Sequence, residues 1–163
     1  MIFPSVTKQH WAIGCLAKTA NGQPGEGFLA VSPSGVRYYF DWLVYRELPR
    51  QFGRVGNALR RQAASMLVSR VEDRFGNSLA YRYDGQGNLT VIEASDGRQL
   101  ALTYEAWQYP LPAMTGFRLT SATLQPASDA PRTWKYGYAS DPANPRLNSV
   151  QLPDGSEWAF PDA

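Results

Sequence analysis

The 163-residue sequence holds one cysteine, Cys15, and one histidine, His10. A single thiol excludes an internal disulfide framework, and one imidazole beside it excludes the usual nitrogen–sulfur zinc sites. As a nucleophile pair, His10 and Cys15 stand five residues apart with no third orienting group, which is not the pattern of an activated thiol. Long apolar runs are absent too. No window reaches the length of a transmembrane helix, so no membrane span is expected. The opening Met-Ile-Phe-Pro-Ser-Val has neither the basic region nor the apolar core of a signal peptide. Excess charge is equally scarce, and a net charge of +2 points away from nucleic acid as a partner. The local exception is the run Arg46, Arg50, Arg54, Arg60 and Arg61. A phosphate-binding patch is one reading of it, but it lacks the interleaved aromatics of a single-strand binder and reads first as a solvated face or as paired to neighbouring carboxylates.

The acidic residues offer no better chemistry. Glu72 and Asp73 are adjacent, so on a strand they face opposite sides and cannot flank one bond. Asp84 to Asn88 and Asp141 to Asn144 carry carboxylates and amides, but turn chemistry accounts for them without calcium. Gly25-Glu26-Gly27 and Gly85-Gln86-Gly87 are too short for a phosphate loop. No catalytic, cofactor-binding or metal-binding residue is assigned, and the chain is read as no enzyme.

What the sequence does contain is turns and rings. Five Trp, nine Tyr and seven Phe favour pleated, half-buried surfaces, and fourteen Gly with twelve Pro punctuate them. Four turn signatures stand out, centred on Gly35, Gly76, Gly97 and Gly155, with Asp96 and Arg98 flanking the third. Val68 and Val71 precede Gly76 as Leu89 and Ile92 precede Gly97, and as Leu147 and Val150 precede Gly155. An aromatic follows at the fifth position after three of these glycines: Phe40, Tyr81 and Phe160. Leu102 takes that place after Gly97, with Tyr104 two residues on.

The closing aromatics give a period. Tyr83 to Tyr104 is 21 residues, Tyr138 to Phe160 is 22, and Phe40 to Tyr83 is 43, close to two units. The longer interval from Tyr104 to Tyr138 holds two expected loop insertions, near 106–117 and 125–131. Within units, Leu79-Ala80-Tyr81-Arg82-Tyr83 and Leu100-Ala101-Leu102-Thr103-Tyr104 alternate with period two, the pattern of a strand packed on one side. Short turns between such strands make an antiparallel meander, so the fold expected is all-β, an antiparallel hairpin-repeat sheet. Two stretches are patterned differently. Residues 1–24 show little periodicity. Near 57–67, good helix formers with Leu59, Ala63 and Met66 near helical spacing predict either a short helix or an irregular crossover.

The run from Tyr81 through Asp84, Gly87 and Leu89 to Asp96-Gly97-Arg98 and Tyr104 resembles the YD repeat of bacterial RHS proteins, with relatives in insecticidal toxin complexes and teneurins. The resemblance spans residues 25–163. It implies a β-repeat domain forming part of a secreted or cell-surface shell of a larger bacterial protein, scaffolding that encloses or presents a C-terminal toxin. It implies as partners the flanking repeats of the same polypeptide, with an encapsulated toxin or secretion machinery beyond them. Exposed sheet edges would favour self-association. The alternative reading is a cell-surface carbohydrate-binding β module, for which Trp107, in the proline-rich insertion, is the candidate stacking platform.

Overall fold

A computed structural model of the chain describes residues 3–52, 58–108, 115–140 and 146–160. Every regular element among them is a strand. The chain divides into two compact units, residues 1–96 and 97–163.

The first unit contains β1 (Ser5–Val6), β2 (Ala12–Leu16), β3 (Gly27–Val31), β4 (Arg37–Phe52), β5 (Ala58–Glu72), β6 (Ser78–Tyr83) and β7 (Leu89–Ala94). Each pairs antiparallel with its neighbour in sequence. The register sorts the side chains. Tyr38, Val71, Leu79 and Ala94 lie in one cross-strand row, and Arg37 and Glu72 in the next. On the charged side Arg37 and Arg70 both reach Glu72, at 3.2 and 2.7 Å, and Arg82 reaches Glu93 at 3.3 Å. One face is apolar and the other is an ion-pair ladder, as period-two alternation requires.

Residues 1–24 join this sheet through β1 and β2 and then extend it. Where β3 begins at Gly27, the preceding loop takes over the edge of β4. The Ala20 N–H donates to the Asp41 carbonyl (2.6 Å). The Asn21 side chain accepts from the Leu43 N–H (3.3 Å) and donates to the Leu43 carbonyl (2.8 Å). One amide side chain thus satisfies both backbone groups that a paired strand would have satisfied.

The second unit contains β8 (Gln99–Gln108), β9 (Thr115–Gln125), β10 (Arg132–Tyr138), β11 (Leu147–Gln151) and β12 (Glu157–Ala159), again antiparallel between sequence neighbours.

Two sequence expectations are corrected. The helix-like stretch near 57–67 is strand: from Ala58 it belongs to β5, which pairs with β4 from Phe52↔Ala58 to Arg37↔Glu72. Asn57 lies outside the described residues. Ala, Leu, Arg and Gln favour helix only weakly, by tenths of a kcal/mol per residue, and a long cross-strand ladder overrides that preference. Within the expected loop 106–117, the described residues 106–108 and 115–117 are also ladder. β8 and β9 remain paired out to Gln108↔Thr115, and Pro110 and Pro112 lie outside the described residues. The second expansion, 125–131, does separate two strands, β9 and β10.

The interior is thin. Among the described residues only Leu29, Val44 and Ala122 are buried apolar side chains, and none is sealed completely. The accessible surface is 11434 Å², whereas a folded monomer of this mass exposes roughly 8,100 Å². Most apolar side chains are therefore half-covered.

Candidate functional site

The turns share one geometry. At residues 7–11, 32–36, 73–77, 84–88 and 152–156 the first residue's N–H donates to the fifth residue's carbonyl, at 2.8 to 3.0 Å. In each, the fourth residue's N–H donates back to the first residue's carbonyl and adopts positive φ. That is a type I turn closed by a left-handed residue. Gly35, Gly76, Gly87 and Gly155 fill the fourth position, with φ of 86°, 90°, 78° and 86°; Gly97 has 88°. His10 fills it in the first turn with φ 62°, the one non-glycine residue of positive φ among those described. This turn was hidden in the sequence because the glycine that marks the others is missing. His10 thereby has a backbone role in a turn, whereas Cys15 sits exposed within β2.

Carboxylates finish the turns. Asp73 accepts from the N–H groups of Phe75 and Asn77 and from the Asn77 amide; Asp84 accepts identically from Gln86 and Asn88. Asp154 accepts from the N–H and hydroxyl of Ser156. The Asn77 side chain chiefly, with backbone N–H groups, holds the Asp73 carboxyl below its ordinary value of 3.8. For Asp84, partial desolvation pushes upward, but the Asn88 side chain and three N–H groups outweigh it, and the net shift is downward. Ser156 lowers Asp154. A folded-state value below the unfolded one contributes stability that is present above the unfolded pKa and lost as pH falls through the folded one. Thermal unfolding followed from about pH 5 to about pH 2 should therefore show a falling Tm. The double change Asp73→Asn, Asp84→Asn should flatten that acid limb; an unchanged slope would count against these carboxylates as its source.

The closing aromatics mark β-bulges. In four hairpins the partner strand carries one extra residue opposite the aromatic: Ser69 opposite Phe40, Thr90 opposite Tyr83, Thr120 opposite Tyr104 and Asn148 opposite Tyr138. The extra residue is small and polar each time. The Thr90 hydroxyl donates to the Arg82 carbonyl (3.1 Å) and the Thr120 hydroxyl to the Thr103 carbonyl (3.0 Å). Each bulge falls between two residues three apart in sequence: Val68 and Val71, Leu89 and Ile92, Leu119 and Ala122, Leu147 and Val150. An inserted residue reverses facing, so residues three apart share a side of a bulged strand. The sequence shows three of these pairs; the Leu119 and Ala122 pair has no glycine eight residues on and was missed.

Two tyrosines complete the arrangement identically. The Tyr83 hydroxyl donates to the Val68 carbonyl and the Tyr138 hydroxyl to the Leu119 carbonyl, each at 2.7 Å. β5–β6 pairing stops at Arg70↔Ala80 and β9–β10 pairing at Lys135↔Ser121. In both cases the tyrosine lies three residues past the last pair and its acceptor two residues before it. The phenol thus takes up a carbonyl at the margin of the ladder. Burial first, then Tyr81, raises the Tyr83 pKa; burial raises that of Tyr138 despite the Arg118 guanidinium over its ring. Both remain neutral donors well past neutral pH.

In the first unit the long β4–β5 ribbon packs on the β6–β7 turn. The Trp42 and Tyr83 rings meet at 5.6 Å, and the Arg46 guanidinium donates to the Gly87 carbonyl at 2.8 Å. Beside them lies an open cleft of about 350 Å³, lined by Asn21, Gln23, Trp42, Tyr45, Tyr83 and Asp84 among others. Its strongest polar groups are already engaged, Asn21 by Leu43 and Asp84 by its own turn.

The remaining sequence candidates are placed simply. Tyr81 stands opposite Ile92, Leu89 opposite Tyr83, and Asp96, Gly97 and Arg98 fall between β7 and β8. The Phe160 N–H donates to the carbonyl of the bulged Asn148 at 2.7 Å. Trp107 is in β8, half-buried, with its indole laid over Gly116 directly across the ladder. Trp158 is far more open, at 61%. Among the described residues no three of His, Cys, Asp and Glu converge as metal ligands. No family model and no curated protein matches the chain.

Proposed function

We propose that the chain is a structural β-repeat module of an RHS/YD-type shell, performing no catalysis of its own. The observation that carries this reading is the recurrence of the same devices in both units: glycine turns, aromatics at bulges, and in each a phenol donating to a carbonyl at the end of a ladder. Repetition of a backbone device, with the carboxylates spent on turns, is what a wall-building unit needs. A reaction centre instead gathers unlike groups around one point. The thin interior supports the same reading, because hairpins of this length cannot bury a core without neighbours. The partners in this reading are flanking repeats, with an enclosed toxin or secretion apparatus beyond them.

Static light scattering over a concentration series tests it. An isolated module with half-covered apolar side chains and open edges should show a mass that climbs with concentration. A monodisperse monomer at the highest concentration, unfolding cooperatively, would overturn the proposal.

A further inference from the structure

We infer that the outer part of the β4–β5 ribbon is a docking surface for an anionic lipid bilayer. The described residues 45–52 and 58–64 hold four arginines against one carboxylate, Glu47, and so carry +3 in a chain whose total is +2. The rest of the molecule is therefore net negative. Arg46, Arg50, Arg60 and Arg61 are all exposed.

These arginines differ from most others of the described strands, Arg132 excepted. Elsewhere on the strands Arg37, Arg70, Arg82 and Arg118 pair with Glu72, Glu93 and Glu105. Arg74 lies over the Phe75 ring. On the ribbon, Arg46 donates to the Gly87 carbonyl, but Arg50, Arg60 and Arg61 have no partner among the described residues. Glu47 stands across from Gln62, and the irregularity between Leu48 and Gln51 sets Arg50 across from Arg60. Like charges across a ladder are unfavourable unless something anionic comes between or beside them.

The apolar neighbours select the kind of anion. By register, Arg46, Leu48, Leu59 and Arg61 share one side of the ribbon. Leu48 is 36% exposed and Leu59 63%. A phosphodiester backbone gains nothing from such leucines. A bilayer takes both groups, with leucine in the acyl boundary and guanidinium among the headgroup phosphates. Addition of a peptide strand is opposed by Pro49, which lacks an N–H, and by the irregular register beside it.

Co-sedimentation of the full chain with phosphatidylcholine vesicles, with and without phosphatidylserine, tests the inference. Binding should require phosphatidylserine and weaken as salt is raised. The double change Arg46→Gln, Arg61→Gln, both on the leucine side of the ribbon, should weaken it about twenty-fivefold, taking each arginine near a charged surface as worth about fivefold. Leu59→Ser should weaken binding while leaving its salt dependence unchanged. Arg132→Gln, an exposed arginine of the second unit, should have no effect. Equal binding to both vesicle types, no binding at all, or indifference to the double change would overturn the inference. So would tighter binding to a short DNA duplex that Leu59→Ser leaves intact. Circular dichroism retaining the strand signature in each variant keeps a folding defect from posing as lost binding.

Discussion

Replacing Gly87 by alanine should lower the unfolding free energy by about 2–3 kcal/mol, against about 1 kcal/mol for the same change at Gly76. The two glycines occupy the same turn position with similar positive φ, 78° and 90°. Both pay the conformational cost of holding an L side chain in the left-handed region. Their surroundings differ. A Cβ at Gly76 meets nothing within 4 Å, whereas at Gly87 it comes within 3.2 Å of both Val44 methyls and 3.3 Å of the Arg46 guanidinium. Val44 is one of the few buried apolar side chains among the described residues, so it has little room to retreat. Chemical denaturation of the two variants measures the difference. Equal losses would mean that the turn does not press on the β4 ribbon as described.

Tyr83→Phe and Tyr138→Phe should each cost about 1–2 kcal/mol, because each removes a hydroxyl donor and strands a half-buried carbonyl at a bulge. The acceptors, Val68 and Leu119, lie two residues past the last pair their strands make with β6 and β10, so no N–H of those strands replaces the phenol. The two tyrosines share no partner, so the double variant should lose the sum to within about 0.5 kcal/mol. Tyr81→Phe, whose ring stands opposite Ile92, should stay within about 0.5 kcal/mol of the parent. Equal losses at Tyr81 and Tyr83 would show that the Tyr83 hydroxyl contributes nothing beyond its ring.

The turns were legible because their chemistry is local. Glycine beside aspartate or asparagine favours positive φ, and Gly76, Gly97 and Gly155 deliver it, as does Gly35 after Ser34, whereas Gly85 beside Asp84 does not. The valine and leucine pairs were legible as a pattern but not as a cause. Spacing of three belongs to helices in an unbroken periodicity, and only the paired register reveals the inserted Ser69, Thr90 and Asn148. The stretch from Ala58 misled for the converse reason. Its local preference is genuine, but its partner, β4, lies earlier in the chain and imposes the extended form. His10 and Asn21 escaped notice because each does a job by an unusual residue. Histidine stands where glycine is the rule, and an amide side chain stands where a strand belongs. Trp107 was read from its proline-rich surroundings; opposite it, Gly116 leaves the space its indole fills.

The bulges also govern how the gene tolerates change in length. Excising Thr90 alone would restore strict alternation in β7 with Leu89 and Ile92 two apart and still on one side, so the oily and charged rows keep their places. A single-codon deletion there is thus absorbed by the ladder, as is loss of a residue from the 126–131 connection, whereas deletion of Ala80 from the unbulged β6 would turn the residues on one side of the gap to the opposite face.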